Sequence, residues 1–269
     1  MRLSSLNDIV FGVDHRGIAT LALNRPEKRN AFTPRLIAEF SQACDHVQND
    51  SAIRVLVITG TGNSFCAGAD LEHMRVMADA SREENYADAV ALGHCLRQLA
   101  QLPKPCIARV NGSAYGGGLG FIACADIAIG VSTAKFALSE VRLGLVPAVI
   151  STHMVTAIGV RQARRLFLSA AMFDAVEAQT IGLLHTITAP EDLDDAVNKE
   201  IDSLLQGAPE AQRVAKDLLL RIACADAQLL RENESFTAAV LSEVRAGKEA
   251  KAGIAAFLAK RLPPWSPQS

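Results

Sequence analysis

Two short apolar runs, each emptying into a glycine-rich loop, restrict this chain to a narrow set of folds. Val55-Leu-Val-Ile58 is apolar on both faces, as a strand is when it lies inside a sheet covered by helices. It leads into Gly60-Thr-Gly-Asn-Ser-Phe-Cys-Ala-Gly-Ala-Asp-Leu71. Cys106-Ile-Ala-Arg-Val110 repeats the pattern and leads into Asn111-Gly-Ser-Ala-Tyr-Gly-Gly-Gly118, after which Leu119 to Ala125 has the composition of a buried helix. Strand, helix, strand, helix with a glycine loop at each strand's C-terminal end is an α/β arrangement, in which ligands bind at the carboxyl edge of the sheet. Both loops are expected to converge there.

Glycine lets a backbone approach a ligand closely while its N–H groups point outward, so Gly116 to Gly118 suit negative charge. Two familiar anion cradles are excluded. A phosphate loop needs Lys-Ser or Lys-Thr after its second glycine, whereas Gly117 is followed by Gly118-Leu119. The dinucleotide fingerprint would require glycine or alanine at Phe121. There remain a pair of donors aimed at a developing oxyanion, or a tight turn with close helix packing.

The rest of the chain fits one α/β core followed by a helical region. Ile18 to Leu23 pairs with Phe11 to Val13 around the turn at Asp14 to Gly17. Thr33-Pro34 starts a helix whose buried face carries Leu36, Ile37, Phe40, Cys44 and Val47. Ser81 and Glu84 have capping-box spacing ahead of a helix with Ala89, Leu92, Leu96 and Leu99 inward, and Pro103 and Pro105 end it. Short strands are expected at Phe136 to Leu138 and Leu184 to Ile187, with a helix around Ile158 to Leu168 and another capped by Asp174. From residue 192 to 269 the pattern is helical, with stripes Val214-Leu218-Ile222 and Phe236-Val240-Val244. The predicted division is therefore 1–191 for the core and 192–269 for a helical region whose stripes suit a partner subunit. The final Pro263-Pro-Trp-Ser-Pro is expected to be extended.

At 269 residues, 49% of them hydrophobic, the chain can bury a sizeable core. A formal net charge of -2 gives no field for gathering nucleic acid or anionic membrane. With no stretch of about 18 apolar residues and no apolar signal segment after Met1, a cytoplasmic protein is expected. The six cysteines, Cys44, Cys66, Cys95, Cys106, Cys124 and Cys224, form no Cys-x-x-Cys pair, and no histidine stands at metal-ligand spacing. No metal is expected, and small buried core residues is the expected role for most of them. Cys66, in its loop, would as a nucleophile need a partner such as His73.

Several motifs in a fixed order identify a resemblance. Phe65-Cys-Ala-Gly-Ala-Asp-Leu71, Asn111-Gly-x-Ala-x-Gly-Gly-Gly118, Ala125-Asp-Ile127 and Ser139-Glu-Val-Arg-Leu-Gly-Leu-Val-Pro147 resemble the crotonase superfamily of enoyl-CoA hydratases and isomerases. The similarity runs from the Asn24-Arg-Pro loop to Phe257-Leu-Ala-Lys-Arg261. It implies a crotonase-like spiral of ββα turns with a C-terminal helical trimerisation region, trimers that usually pair into hexamers, and an acyl-CoA thioester substrate. The CoA belongs to the substrate, and no separate cofactor is implied.

By the same resemblance, the oxyanion hole would be the backbone N–H groups of Ala69 and Gly117, beside Gly116, with Glu140 as the acid or base. Ala67, Asp70 and Leu71 would meet the adenine, Lys28 and Arg29 would lie near the CoA phosphates, and Lys260 with Arg261 would reach a neighbouring subunit's CoA. Asn24, Asn30 and Asp126 resemble loop-bracing and buried structural residues. The family's hydratases usually carry two glutamates, at positions matching Gly120 and Glu140. Here the first is glycine, which is expected to leave room for substrate, and Ala148-Val-Ile-Ser151 replaces a glycine-rich run. The apolar neighbours Leu138, Val141 and Leu143 are expected to raise the Glu140 pKa. The whole pattern is most like hydratases of 3-branched glutaconyl-CoA esters, methylglutaconyl or isohexenylglutaconyl, in leucine and acyclic-terpene breakdown. An isomerase working with one glutamate and a non-catalytic binding member of the fold are the alternatives.

Overall fold

A computed structural model of the chain describes residues 6–224 and 227–264. The side chains of Ile222 and Cys224, and residues 265–267 of the proline-rich end, lie outside the described residues. Two sheets form the core. The larger has the order β1 (Ile9–Val13), β2 (Ile18–Leu23), β3 (Val55–Gly60), β5 (Cys106–Val110), β7 (Ile127–Val131), β10 (Thr186–Thr188). Only the β1–β2 pair is antiparallel. The smaller is β4 (Ser64–Cys66), β6 (Ser113–Tyr115), β8 (Lys135–Ala137) and β9 (Phe173–Asp174), parallel except for the last pair.

The chain alternates between these sheets. Each of β3, β5 and β7 is followed within a few residues by a strand of the smaller sheet, and then by helix. The result is a spiral of ββα turns. All six residues of β3 are buried, as a strand covered on both faces requires. One covering layer is α1 (Pro34–Asn49), started by Thr33, whose side chain accepts a hydrogen bond from Leu36 N–H. Its five expected core residues are all buried. Phe40 reaches Phe121 of α4 (Gly118–Cys124), ring centroids 4.9 Å apart, so helices from different turns share one core.

The helices α2 (Leu71–Asp79) and α3 (Arg82–Ala100) join the first and second turns. α3 begins with the reciprocal Ser81–Glu84 capping box. The third turn ends in a short helical turn, Glu140–Leu143, before α5 (Ser151–Ser169), and α6 (Ala175–Thr180) is capped by Asp174. Beyond Asp192 the described residues hold only helices: α7 (Leu193–Leu205), α8 (Pro209–Cys224), α9 (Ala227–Ala246) and α10 (Lys248–Leu258). α9 packs along α3, and α10 packs on α2 and on the Glu140 turn. That contact is close: Gly144 has φ 71°, and a Cβ there would lie 2.6 Å from the Glu249 carbonyl carbon. Val214, Leu218 and Phe236 remain exposed. None of the described helices is long and apolar enough to cross a membrane.

Asn111 fastens two adjacent turns of the spiral. Its Oδ1 accepts from Gly60 N–H at 3.1 Å and from the Thr59 hydroxyl at 3.2 Å, while its Nδ2 donates to the Gly62 carbonyl at 2.9 Å. Asn111→Ala removes the side-chain partner of the Gly60 N–H and the Gly62 carbonyl, so it is expected to lower unfolding stability by about 1–3 kcal/mol in urea titrations.

Candidate active site

The two glycine loops meet. Phe32 N–H donates to the Gly68 carbonyl, and Asp70 N–H donates to the Phe32 carbonyl. In a trans peptide the N–H lies opposite the carbonyl, so the Ala69 N–H points away from Phe32. The second loop repeats the device. The Gly116 carbonyl accepts from Leu119 N–H at 3.0 Å, which turns the Gly117 N–H the other way. Neither N–H has a protein acceptor among the described residues. A Cβ on Gly68 would lie 3.9 Å from the Gly117 nitrogen, which measures how near the loops run.

Beside the second donor loop stands Glu140. Strand β8 pairs with β6 through Ala114–Phe136 and Tyr115–Ala137, and Gly116 N–H donates to the Ala137 carbonyl. That register brings the carboxyl beside Gly116, where a Cβ would be 3.0 Å from Glu140 Oε1. Gly116 has φ 50°, so both its conformation and its contact with the acid favour glycine. Glu140 Oε2 is shielded from solvent and has no hydrogen-bond partner. Burial among apolar groups pushes this carboxyl up to about 7.

Ala69, Gly116, Gly117 and Glu140 line one cavity of about 480 Å³, together with Ala67 and Leu71. Its walls are largely apolar: Phe32, Met74 and Met77 on one side, Leu145 and Val149 on another, and Ile254 and Phe257 from α10. Leu145, Ala250 and Ile254 form a small core of their own with Met74, which seals α10 over α2.

Other expected site residues lie elsewhere. Asp70 is buried and committed to the framework. Its carboxylate caps α2 through Glu72 N–H and pairs with Arg25 at 2.9 Å, and these partners outweigh burial to hold it below the usual carboxylate range. Lys28 and Arg29 are exposed and off the cavity wall, although the Arg29 carbonyl accepts from Ala67 N–H and so ties the two loops together. Lys260 and Arg261 are exposed beyond α10, away from this chain's own cavity. Gly120 needs correction. It does not line the cavity, because a Cβ there would meet Ile150 Cγ2 at 2.6 Å and Leu96 Cδ1 at 3.1 Å. The room expected from the missing side chain is filled by Ile150 and Leu96.

Cys66 is no nucleophile here. Burial pushes its thiol up to about 12, and its Sγ donates to the Asn30 carbonyl. His73 pairs with Asp88 instead, Nε2 to Oδ1 2.8 Å. Asp88 and Arg245, which also line the cavity, escape sequence reasoning because they stand 157 residues apart. Asn30 and Asp126 brace: Asn30 Nδ2 donates to the Thr61 and Ser64 carbonyls, and Asp126 accepts from Cys106 N–H and from Lys216. No group of three potential metal ligands occurs among the described residues.

The chain is similar in sequence and in fold to characterised families. The profile of the enoyl-CoA hydratase/isomerase family matches residues 14–268. A short-chain-enoyl-CoA hydratase of Clostridium acetobutylicum is 30% identical over 260 residues, 95% of this chain and 96% of that protein. A mitochondrial methylglutaconyl-CoA hydratase of Mus musculus is 34% identical over 209 residues, 76% of this chain and 66% of that protein. The crystal structure of an enoyl-CoA hydratase from Shewanella pealeana superposes with a TM-score of 0.78 at 38% identity, covering 97% of this chain and 96% of that one.

Glu140 carries a stability cost with a defined sign. Between pH about 4.5 and about 7 the folded chain keeps a proton that the unfolded chain has released, so stability falls as pH rises through that window. Glu140→Gln is therefore expected to be more stable than the wild type at pH 8 by on the order of 1–3 kcal/mol, with the gap closing below pH about 4.5 in paired denaturation curves.

Proposed function

Since this chain belongs to the enoyl-CoA hydratase/isomerase family, we propose that it hydrates a 3-branched glutaconyl-CoA of the methylglutaconyl or isohexenylglutaconyl type. As a member it is a hydro-lyase acting on an enoyl-CoA thioester. The observation that carries the proposal is one unpartnered buried carboxyl, Glu140, beside the donor loop in the cavity that two N–H donors without protein acceptors also line, with Ile150 and Leu96 standing where a second glutamate would be.

The chemistry follows from those groups. The Ala69 and Gly117 N–H groups receive the thioester oxygen as it gains charge, each contributing about 3–4 kcal/mol to the transition state. Ionised Glu140 takes a proton from water as that water's oxygen bonds to the β carbon, and an enolate forms. The same carboxyl then returns the proton to the α carbon, which restores the thioester. An apolar Ile150 wall suits an alkyl branch, and a glutaconyl ester brings its own carboxylate to help orient the water. The same lone carboxyl also suits an isomerase that carries a proton from the γ to the α position without water. Product identification separates the two. The proposal extends to a cytoplasmic enzyme needing no cofactor, built as a trimer or dimer of trimers on the exposed Val214, Leu218 and Phe236, with Lys260 and Arg261 reaching the neighbour's CoA.

With Glu140 as base, kcat/KM is expected to rise about tenfold per pH unit below pH about 7 and then level, and Glu140→Gln to lose about 10²–10⁴-fold in kcat. Wild-type enzyme is expected to prefer 3-methylglutaconyl-CoA over crotonyl-CoA by at least about tenfold in kcat/KM, about 1.4 kcal/mol. Equal use of crotonyl-CoA would reject the branched substrate. Gly120→Glu alone is expected to destabilise the fold by collision with Ile150, whereas Gly120→Glu with Ile150→Ala should fold and narrow the preference.

A further inference from the structure

The cavity contains one permanently cationic side chain among the described residues that line it, Arg245 of α9. The cavity it lines is largely apolar, and only 14% of its side chain is exposed. Its NH1 donates to Asp88 Oδ2 at 2.9 Å and to Asn85 Oδ1 at 3.1 Å. Asp88 spends its other oxygen on His73, so both carboxylate oxygens are taken. These bonds, with desolvation opposing them, hold the Asp88 carboxyl below the usual carboxylate range.

A latch between α9 and α3 would need no more than that NH1 contact. The guanidinium, however, keeps two more donor groups, Nε and NH2, which form no hydrogen bond among the described residues and are not among the shielded, unpartnered atoms. Nε–H and the adjacent NH2 hydrogen lie parallel on one edge of the planar group, the fork that grips a carboxylate through two bonds. The Arg245–Asp88 pair is neutral as a unit, so an anion meeting that edge faces no net repulsion.

We propose that Arg245 is a specificity-determining residue whose Nε/NH2 edge binds a second carboxylate, carried by the acyl group of the thioester. It thereby selects dicarboxylic acyl-CoA esters over monocarboxylic ones of similar size. Asn85, Asp88 and His73 act through Arg245 as positioning residues that hold the guanidinium plane. The inference rests on the glutaconyl reading above, because that substrate class supplies the distal carboxylate.

The test is calorimetric titration of the full-length protein with two saturated, unreactive esters, glutaryl-CoA and butyryl-CoA. Wild-type protein is expected to bind glutaryl-CoA at least about tenfold more tightly, and Arg245→Met to reduce that ratio to near one while changing butyryl-CoA affinity less than about threefold. Arg245→Lys should keep part of the preference, since a point charge replaces a fork. Asp88→Asn removes the competing anion and should widen the ratio, the opposite sign from Arg245→Met. A wild-type ratio near one, an unchanged ratio in Arg245→Met, or an equal loss for both esters in Asp88→Asn would overturn the proposal. If Arg245→Met fails to fold, the Arg245→Lys and Asp88→Asn ratios decide it. Failure of the glutaconyl reading registers separately, as wild-type turnover that favours crotonyl-CoA, whereas failure of the anchor registers only in the binding ratio.

Discussion

The close approach of the Gly68–Ala69 backbone to the Gly116–Gly117 turn is the constraint on which the rest of the site depends. Two N–H donors can point at one atom only if two turns of the spiral are locked in register. The side chain that locks them, Asn111, touches neither donor. The Phe32–Ala69 bridge then fixes which way one donor faces, and the Gly116–Leu119 bond fixes the other. Backbone geometry alone thus leaves two N–H donors without a protein acceptor among the described residues, the arrangement that suits developing negative charge.

A carboxyl in such a cavity titrates near neutral pH only if it is not freely solvated, and the helical region shields Glu140. α10 lies on α2 and on the Glu140 turn, and the Leu145–Ala250–Ile254 cluster with Met74 excludes water from that flank. The backbone contact at Gly144 permits this closeness, because any side chain there would lift α10 off the turn. Burial then leaves Glu140 Oε2 without a partner, a cost to the fold that raises the carboxyl toward neutral pH.

Local signals made much of this visible in the sequence. Thr33 caps α1, Ser81 and Glu84 form their box, and the apolar runs at Val55 and Cys106 are the central strands, because each depends on residues within one turn or one strand. Of the smaller sheet only β8 is legible, as the short strand at Phe136, whereas β4 and β6 have three residues each inside glycine-rich loops and too few positions to show a period. α2 has only its cap, Asp70 ahead of Leu71-Glu-His, as a local signal, and that lies inside a glycine-rich loop. The donor loops and Glu140 could be named from motif order, whereas the space beside Gly120 could not. Whether a missing side chain leaves a hole depends on what packs into it, and Ile150 lies thirty residues away on another element.

The exchange at Gly120 also bears on Glu140 itself. Two carboxyls sharing a water-sized gap repel one another, so each raises the other's pKa and the pair titrates as a unit. With Ile150 and Leu96 packed against Gly120, that coupling is gone. The upward shift of Glu140 then comes from desolvation, with only its own backbone N–H opposing it. Leu96, which packs against Gly120, belongs to the same helix as Asp88, which lines the cavity and pairs with Arg245 of α9. One helix therefore packs an apolar side chain against α4 and carries, two turns earlier, a carboxylate paired with α9.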